Sequence, residues 1–392
     1  MLDFNYFSPT YYAFGKDKET MTGELVRQFG GTKTILHYGG GSAVRSGLVA
    51  RVKASLAKAG VECIELGGVQ PNPRSTLVEE GIRIARTNGV DFMLAVGGGS
   101  VIDSAKAIAI GAANEGVWRK YYVGREVKVR PAIPAALPVG VVLTIAAAGS
   151  ESSQNTVINL EPENLKRGAG SDILRPKFAV MNPALTETLS AFQTACGLAD
   201  MFAHLCERYF SATADVELTD SLCEAVMRTI VREGAKVMAN PHDYQARANI
   251  MWAGTLAHND ICGVGRAQDW SSHAMEHELS ALYDCAHGAG LAVVMPAWMK
   301  YVYKRDCARF ARFGREVFGV RDDTEESAAL AGIEAFRAWL KSLGLPLTFA
   351  ELGAKAEDIP LLVKTLNLCG NTLGGFMPLR DEDVEAIYRL CV

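Results

Sequence analysis

The period of the hydrophobic positions changes once along this chain. In the first half, short apolar runs alternate with stretches whose apolar residues recur every three or four positions. KTILHYG (33–39), ECIEL (62–66), DFMLAVGGGS (91–100), VGVVLTIAA (139–147) and KFAVMNP (177–183) read as strands, the third ending in glycines. SGLVARVKASLAKAG (46–60), TLVEEGIRIARTNG (76–89) and VIDSAKAIAIGAAN (101–114) carry the helical period between them. Strand and helix in alternation at this spacing predict a parallel sheet with helices on its faces. After Pro183, strand-like runs become scarce. The segments 186–211, 218–240 and 305–319 place apolar residues at helical spacing and predict an all-α second half. A domain boundary is expected near residue 186, with an α/β domain over 1–186 and a helical domain over 187–392. Neither half contains an internal repeat or a low-complexity segment.

Composition narrows the classes of function. With 49% hydrophobic and 21% charged residues the chain reads as an ordinary soluble globular protein. A net charge of −4 supplies no basic field, which argues against nucleic acid or an anionic membrane as a partner. The nine cysteines are scattered without a C-x-x-C pair, the pattern of reduced thiols in a cytoplasmic protein. MLDFNYFSPTYYAFG lacks the basic and apolar regions of a secretion signal. The apolar stretch 131–149 is broken by Pro131, Pro134 and Pro138, so a buried strand is expected there and not a membrane span.

Two glycine clusters change the picture. LAVGGGSVIDSAK runs from a strand through Gly97, Gly98, Gly99 and Ser100 directly into a helix. Backbone without side chains can approach a phosphate closely, and the free N–H groups of the helix start point at it. The loop follows a parallel strand, where α/β sheets bind ligands, although it is not the G-x-G-x-x-G fingerprint. Asp103, one turn into the helix, is within reach of a ribose or a substrate. The second cluster, HYGGGSAVRSG, carries Gly39, Gly40, Gly41 and Ser42 where an NAD site would place an acid on the ribose hydroxyls. Room without an acid, and Arg45 nearby, favour NADP(H) over NAD(H).

Three of the seven histidines fall within DWSSHAMEHELSALYDCAHGAG (269–290). His273 and His277 are four apart, His287 opens the next helical stretch, and Asp200 and His204 form another pair four apart. Residues at that spacing share one helix face. Imidazoles with one carboxylate suit Zn²⁺ or Fe²⁺, and the spacing alone does not choose among His273, His277 and His287. His37, His242 and His258 have no such partners and read as ordinary polar positions; Cys196, Cys206 and Cys285 read as small buried residues.

VGGGSVIDSAK, AGSES, ADMFAH and DWSSHAMEHELS with AHGAG, in this order, make the chain resemble the iron-containing (group III) alcohol dehydrogenases. The butanol dehydrogenase and NADPH-dependent aldehyde reductase branch is the nearest in pattern. The resemblance implies a nucleotide-binding α/β domain with a dehydroquinate-synthase-like parallel sheet, then an all-α metal-binding domain, with the active site in the cleft between them. It places the metal ligands at Asp200, His204, His273 and His287. His277 falls on a proton-relay position, expected in the turn between the helices that carry His273 and His287. Nucleotide contacts fall on Gly40, Ser42, Asn72, Gly98, Gly99, Ser100, Asp103, Thr144, Ser153 and Lys166, with Leu185 packing near the cofactor after Asn182–Pro183. Ala146 and Ala148 stand where relatives often carry Pro and Thr, Ser153 where Asn is common, and Gly39 where NAD-dependent relatives show Asp.

The implied activity is reversible hydride transfer between NAD(P)H and a primary alcohol or aldehyde, butanol-like, with one divalent metal, Fe²⁺ or Zn²⁺, as Lewis acid. Trp270, Leu185 and Phe192 point to an apolar substrate tail. A homodimer is expected, with FNYFSPTYYAF (4–14) offering an edge strand to a neighbour. Rival readings are a glycerol-dehydrogenase-like polyol oxidoreductase, a dehydroquinate synthase, and a nucleotide sensor with a structural metal. No Lys/Arg cluster surrounds the metal motif, which argues against a multiply anionic substrate. The extra histidine argues against a closed structural site.

Overall fold

The structure, a computed structural model, describes every residue except Arg125, Glu126, Lys128, Arg130, Pro162 and Asn164. One unit spans Phe7–Thr188 and the other combines Met1–Tyr6 with Leu189–Val392. The described residues of the first hold β1 (Tyr11–Phe14), β2 (Lys33–Gly39), β3 (Glu62–Val69), β4 (Phe92–Gly97), β5 (Val139–Leu143), β6 (Asn155–Leu160), β7 (Leu165–Gly170) and β8 (Phe178–Met181). Its helices are α1 (Thr22–Gln28), α2 (Ser42–Arg45), α3 (Leu48–Lys58), α4 (Ser75–Asn88), α5 (Gly99–Ala113) and α6 (Val117–Tyr121).

Six of the strands form one parallel sheet in the order β1-β8-β5-β4-β2-β3. β4 reads FMLAVG with all six residues buried. A central parallel strand is covered on both faces, so it has no polar side to show. Leu25 and Val26 of α1 and Leu48, Val52 and Leu56 of α3 join Leu36, Leu94, Val142 and Val180 of the sheet in one apolar cluster. Each such side chain contributes about 1.5–3 kcal/mol by leaving water. VGVVL of the 131–149 stretch forms β5 inside this sheet, and no described helix is long and apolar enough to cross a membrane.

Two features go beyond the hydropathy reading. Tyr11–Phe14 pairs with β8 as an edge of the chain's own sheet. NTVINL and LKRGAG pair as an antiparallel hairpin, from Asn155–Gly170 to Leu160–Leu165. LKRGAG carries two cations and two glycines, so no apolar alternation marks it.

The second unit contains α7 (Ala191–Tyr209), α8 (Glu217–Ala239), α9 (Tyr244–His258), α10 (Ser271–Tyr283), α11 (His287–Val302), α12 (Cys307–Phe318), α13 (Glu325–Ser342), α14 (Phe349–Leu352), α15 (Ile359–Leu366) and α16 (Asp381–Arg389). A capping box, Ser190 with Gln193, starts α7. Phe202 on α7 stacks on Phe336 of α13 with ring centres 4.9 Å apart. From Gly197 to Tyr209 every residue of α7 is buried. Asp200, His204, Glu207 and Arg208 are therefore polar side chains on a stretch of helix with no solvent face, and each needs an internal partner.

Candidate metal centre and nucleotide loops

Asp200 and His204 project from the same face of α7, with His204 Nε2 3.3 Å from Asp200 Oδ1. His273 on α10 brings its Nε2 to 4.0 Å from that oxygen, and His287, the first residue of α11, brings its own to 3.7 Å. Three imidazoles from three helices thus converge on one carboxylate. Asp200, His204 and His273 are 4–5% exposed, and the His287 side chain is 24% exposed. The AHGAG pattern explains the approach of α11. A Cβ on Gly288 would lie 2.1 Å from the Cys196 carbonyl oxygen, and one on Gly290 would lie 2.8 Å from Glu276 Cγ. Without side chains at 288 and 290, His287 reaches Asp200.

Two acids that spacing did not single out orient this set. His273 Nδ1 donates to Glu207 Oε1 (2.9 Å), which also accepts from the His273 backbone N–H (2.9 Å). His287 Nδ1 donates to Glu276 Oε2. A carboxylate behind Nδ1 fixes the tautomer and turns the Nε2 lone pair toward the metal position. The only signal in the sequence is an acid on a ligand's own helix: Glu207 lies two turns past Asp200 and Glu276 one turn past His273. Burial raises Glu207 to about 7. Burial, then the His287 ring, lowers His273 to about 3, and burial holds His204 well below its usual value. His204 and His273 are thus held neutral, the form in which an imidazole binds a metal.

The donors fit a divalent ion. His273 Nε2 is buried with no hydrogen-bond partner among the described residues. Such a group costs about 1–3 kcal/mol. A cation among three nitrogens and a carboxylate relieves that cost, and the set suits Fe²⁺ or Zn²⁺. The expectation for His277 is corrected in one respect. It sits on α10 itself, one turn beyond His273, and not in the turn before α11. It is half-buried, its ring is 5.6 Å from that of His287, and it groups with Glu276 and His287.

The first unit gathers the expected nucleotide residues at the carboxyl ends of adjacent strands. Gly40 and Ser42 follow β2, Asn72 follows β3, Gly98 to Ser100 follow β4, and Thr144 follows β5. Thr144 N–H donates to Gly97 O (3.0 Å), and a Cβ on Gly98 would lie 2.1 Å from Ile145 Cγ2. Lys166 Nζ donates to Asn72 Oδ1 (3.1 Å), joining two positions far apart in sequence. Gly40 is exposed, and a Cβ there would meet nothing within 4 Å. Gly41 has φ +149, and Arg45 Nη1 lies 2.5 Å from where its Cβ would be, so the guanidinium lies over bare backbone. Leu185, in the turn after Asn182, leans on the sheet core. Asp103 and Ser153 are drawn into the fold. Asp103 accepts from Ser150 Oγ (2.5 Å) and Val157 N–H (2.8 Å), and Ser153 Oγ accepts from Asn155 N–H (3.0 Å). Lys106, which the motif reading passed over, is fully buried and donates to the carbonyls of Ser150 (2.7 Å), Ser153 (2.8 Å) and Asn155 (2.9 Å). Trp270 packs against the His204 and His273 rings, while Phe192 is exposed on the first turn of α7.

The family described as "Iron-containing alcohol dehydrogenase" matches residues 9–183, and "Fe-containing alcohol dehydrogenase family, C-terminal" matches residues 194–392. NADH-dependent butanol dehydrogenase A of Clostridium acetobutylicum is 40% identical over 394 residues, 99% of each chain. NADPH-dependent aldehyde reductase YqhD of Escherichia coli is 34% identical over 379 residues, 95% of each chain. The crystal structure of NADH-dependent butanol dehydrogenase A from Thermotoga maritima aligns with a TM-score of 0.95 at 40% identity, covering 100% of this chain and 99% of that one.

Proposed function

The chain belongs to the iron-containing alcohol dehydrogenase family, and on that premise we infer reversible hydride transfer between NADP(H) and a primary alcohol or its aldehyde, of the butanol and butanal kind. The observation that carries the reading is the convergence of the Nε2 atoms of His204, His273 and His287 within 4.0 Å of Asp200 Oδ1. These four residues hold one divalent ion, and iron is assigned because the family's description names it. When bound, the ion supplies Lewis acidity to the substrate oxygen and the nicotinamide gives or takes the hydride.

The chain's own residues do the rest. Backbone N–H groups at Gly98 to Ser100 and the start of α5 receive the diphosphate. Asn72, with Lys166 hydrogen-bonded to it, meets the ribose, and Thr144 and Leu185 line the cofactor. His277 passes the proton between the substrate oxygen and water through its ring nitrogen. Trp270 and Phe192 favour an apolar tail. The preference for NADP(H) rests on the open space at Gly40 and on Arg45 over Gly41, which suit a 2′-phosphate. Relatives named for NADH and for NADPH both occur, so the names do not choose. The exposed side chains of Phe4, Tyr6, Phe7 and Tyr11 support a homodimer in which this segment is covered by a second copy. The cytoplasm is the compartment that fits these features.

Oxidation of NADPH and of NADH, each with butanal, tests the reading. Faster turnover with NADPH is expected. Faster turnover with NADH would overturn the 2′-phosphate argument, and no turnover with either would overturn the activity.

A further inference from the structure

Two of the three convergent imidazoles have a carboxylate behind them and the third does not. His273 has Glu207 and His287 has Glu276, whereas His204 Nδ1 is buried without a hydrogen-bond partner among the described residues. A ligand ring that nothing holds can swing its Nε2 away from the metal position, so supporting groups matter as much as ligands. Around His204 those groups are flat. The His258 ring lies 4.1 Å away between centres, tilted by 35°, and Trp270 meets it edge-on at 5.6 Å.

Arg208 joins these groups. It stands one turn after His204 and is 1% exposed. Its Nη1 donates to His204 O (3.0 Å), and its Nη2 to His258 Nδ1 (2.9 Å) and Asp260 Oδ1 (3.1 Å). Its guanidinium carbon lies 4.7 Å from the centre of the Trp270 ring. Donation to Nδ1 puts the His258 proton on Nε2. Trp270 has φ +68, a conformation bulky residues avoid, and such strain persists only where surroundings enforce it. Its backbone N–H donates to Glu207 Oε2 (2.8 Å) and its Nε1 to Gln268 Oε1 (3.0 Å). Gly263 leaves room for this assembly: a Cβ there would lie 2.3 Å from Gln268 Nε2 and 3.3 Å from Arg208 Nε.

We propose that Arg208, acting through His258 and Trp270, is the positioning residue for His204: a guanidinium clamp that serves this ligand as Glu207 and Glu276 serve the other two. The inference rests on the metal-centre reading above. Only a planar fork can hold the His204 carbonyl, the His258 ring and the Trp270 face at once, so lysine does not replace it.

The test compares Arg208→Lys, His258→Phe and His258→Ala with the wild type. The readouts are the rate of Fe²⁺ loss to a chelator and the visible absorption of the Co²⁺-loaded protein, with NADPH binding as a control. Arg208→Lys is expected to release Fe²⁺ about tenfold faster or more and to alter the Co²⁺ bands, with NADPH binding unchanged. His258→Phe keeps the ring face but removes the acceptor that Arg208 holds, so it is expected to behave like Arg208→Lys, as is His258→Ala. A wild-type release rate and Co²⁺ spectrum in Arg208→Lys would overturn the proposal, as would wild-type behaviour of His258→Phe. Should Arg208→Lys fail to fold, His258→Phe decides alone, because it removes the hydrogen bond from Arg208 and leaves the ring against His204. Wild-type protein that takes up neither Fe²⁺ nor Co²⁺ overturns the metal-centre reading itself, before any variant is compared.

Discussion

Glu207 accepts three hydrogen bonds, two from His273 and one from the Trp270 backbone, in the part of α7 where every residue is buried. Glu207→Gln removes the charge and sets an amide N–H against one of those donors. It is expected to weaken metal binding by about 10–100-fold, measured by competition with a chelator; unchanged binding would mean that His273 needs no such support. Gly39 offers a second check. A Cβ there would lie 3.4 Å from Val69 O, an ordinary contact, so Gly39→Asp fits and places a carboxylate beside the loop proposed to take the 2′-phosphate. The ratio of kcat/KM for NADPH to that for NADH is expected to fall by about tenfold or more, a loss of about 1.4 kcal/mol of discrimination. At this scale the sequence was most informative where two chemical residues share a helix face, as with Asp200 and His204. It was least informative at Glu207, Glu276 and Arg208. Charged residues on a helix look alike in sequence whether they face water or a buried ring, and only the burial of α7 and α10 separates them.

Between elements, two buried groups fasten α5. His37 on β2 donates from Nδ1 to Leu66 O (2.8 Å), and its Nε2 accepts from Ser104 Oγ on α5 (2.8 Å), which fixes a neutral tautomer. Burial lowers this imidazole from 6.5 to about 4. The unfolded chain takes up the proton first as pH falls. Stability is therefore full above about 6.5 and falls by about 3 kcal/mol as pH drops through 4. Thermal midpoints at pH 7 and 4.5 check this: His37→Gln is expected to fall less than wild type between the two, and an equal fall would contradict it. Lys106 on α5 is the second fastening, burial lowering its ammonium to about 8. Lys106→Met leaves three carbonyls without their donor and is expected to cost about 3 kcal/mol. Because the segment those carbonyls belong to follows the Ile145 contact with Gly98, NADPH binding weakens too, as a fluorescence titration will report. The alternation of strand and helix was legible because a buried parallel sheet leaves continuous apolar runs. The β6–β7 hairpin was not, since its fastening is polar: Asp103 to Val157 N–H, and Thr156 Oγ1 to Asp103 O (2.8 Å).

At the scale of the whole chain, the change in hydrophobic period near residue 186 announces a helical second half. It says nothing of Met1–Tyr6, which group with that half because Leu2 N–H donates to Gly265 O (2.8 Å). Such a contact between distant segments leaves no local trace. Sedimentation equilibrium is expected to give a mass near two copies of the 42.2 kDa chain, and a monomer would contradict the dimer. One metal ion, proposed to be held by Asp200, His204, His273 and His287, is what hydride transfer by this chain depends on. The most direct test is to strip the metal, restore Fe²⁺ in steps, and measure bound iron and NADPH-dependent butanal reduction on the same samples. Activity is expected to vanish on stripping and to return in proportion to iron up to one ion per chain; activity that survives stripping, or iron that binds without restoring it, would contradict a catalytic metal at these four residues.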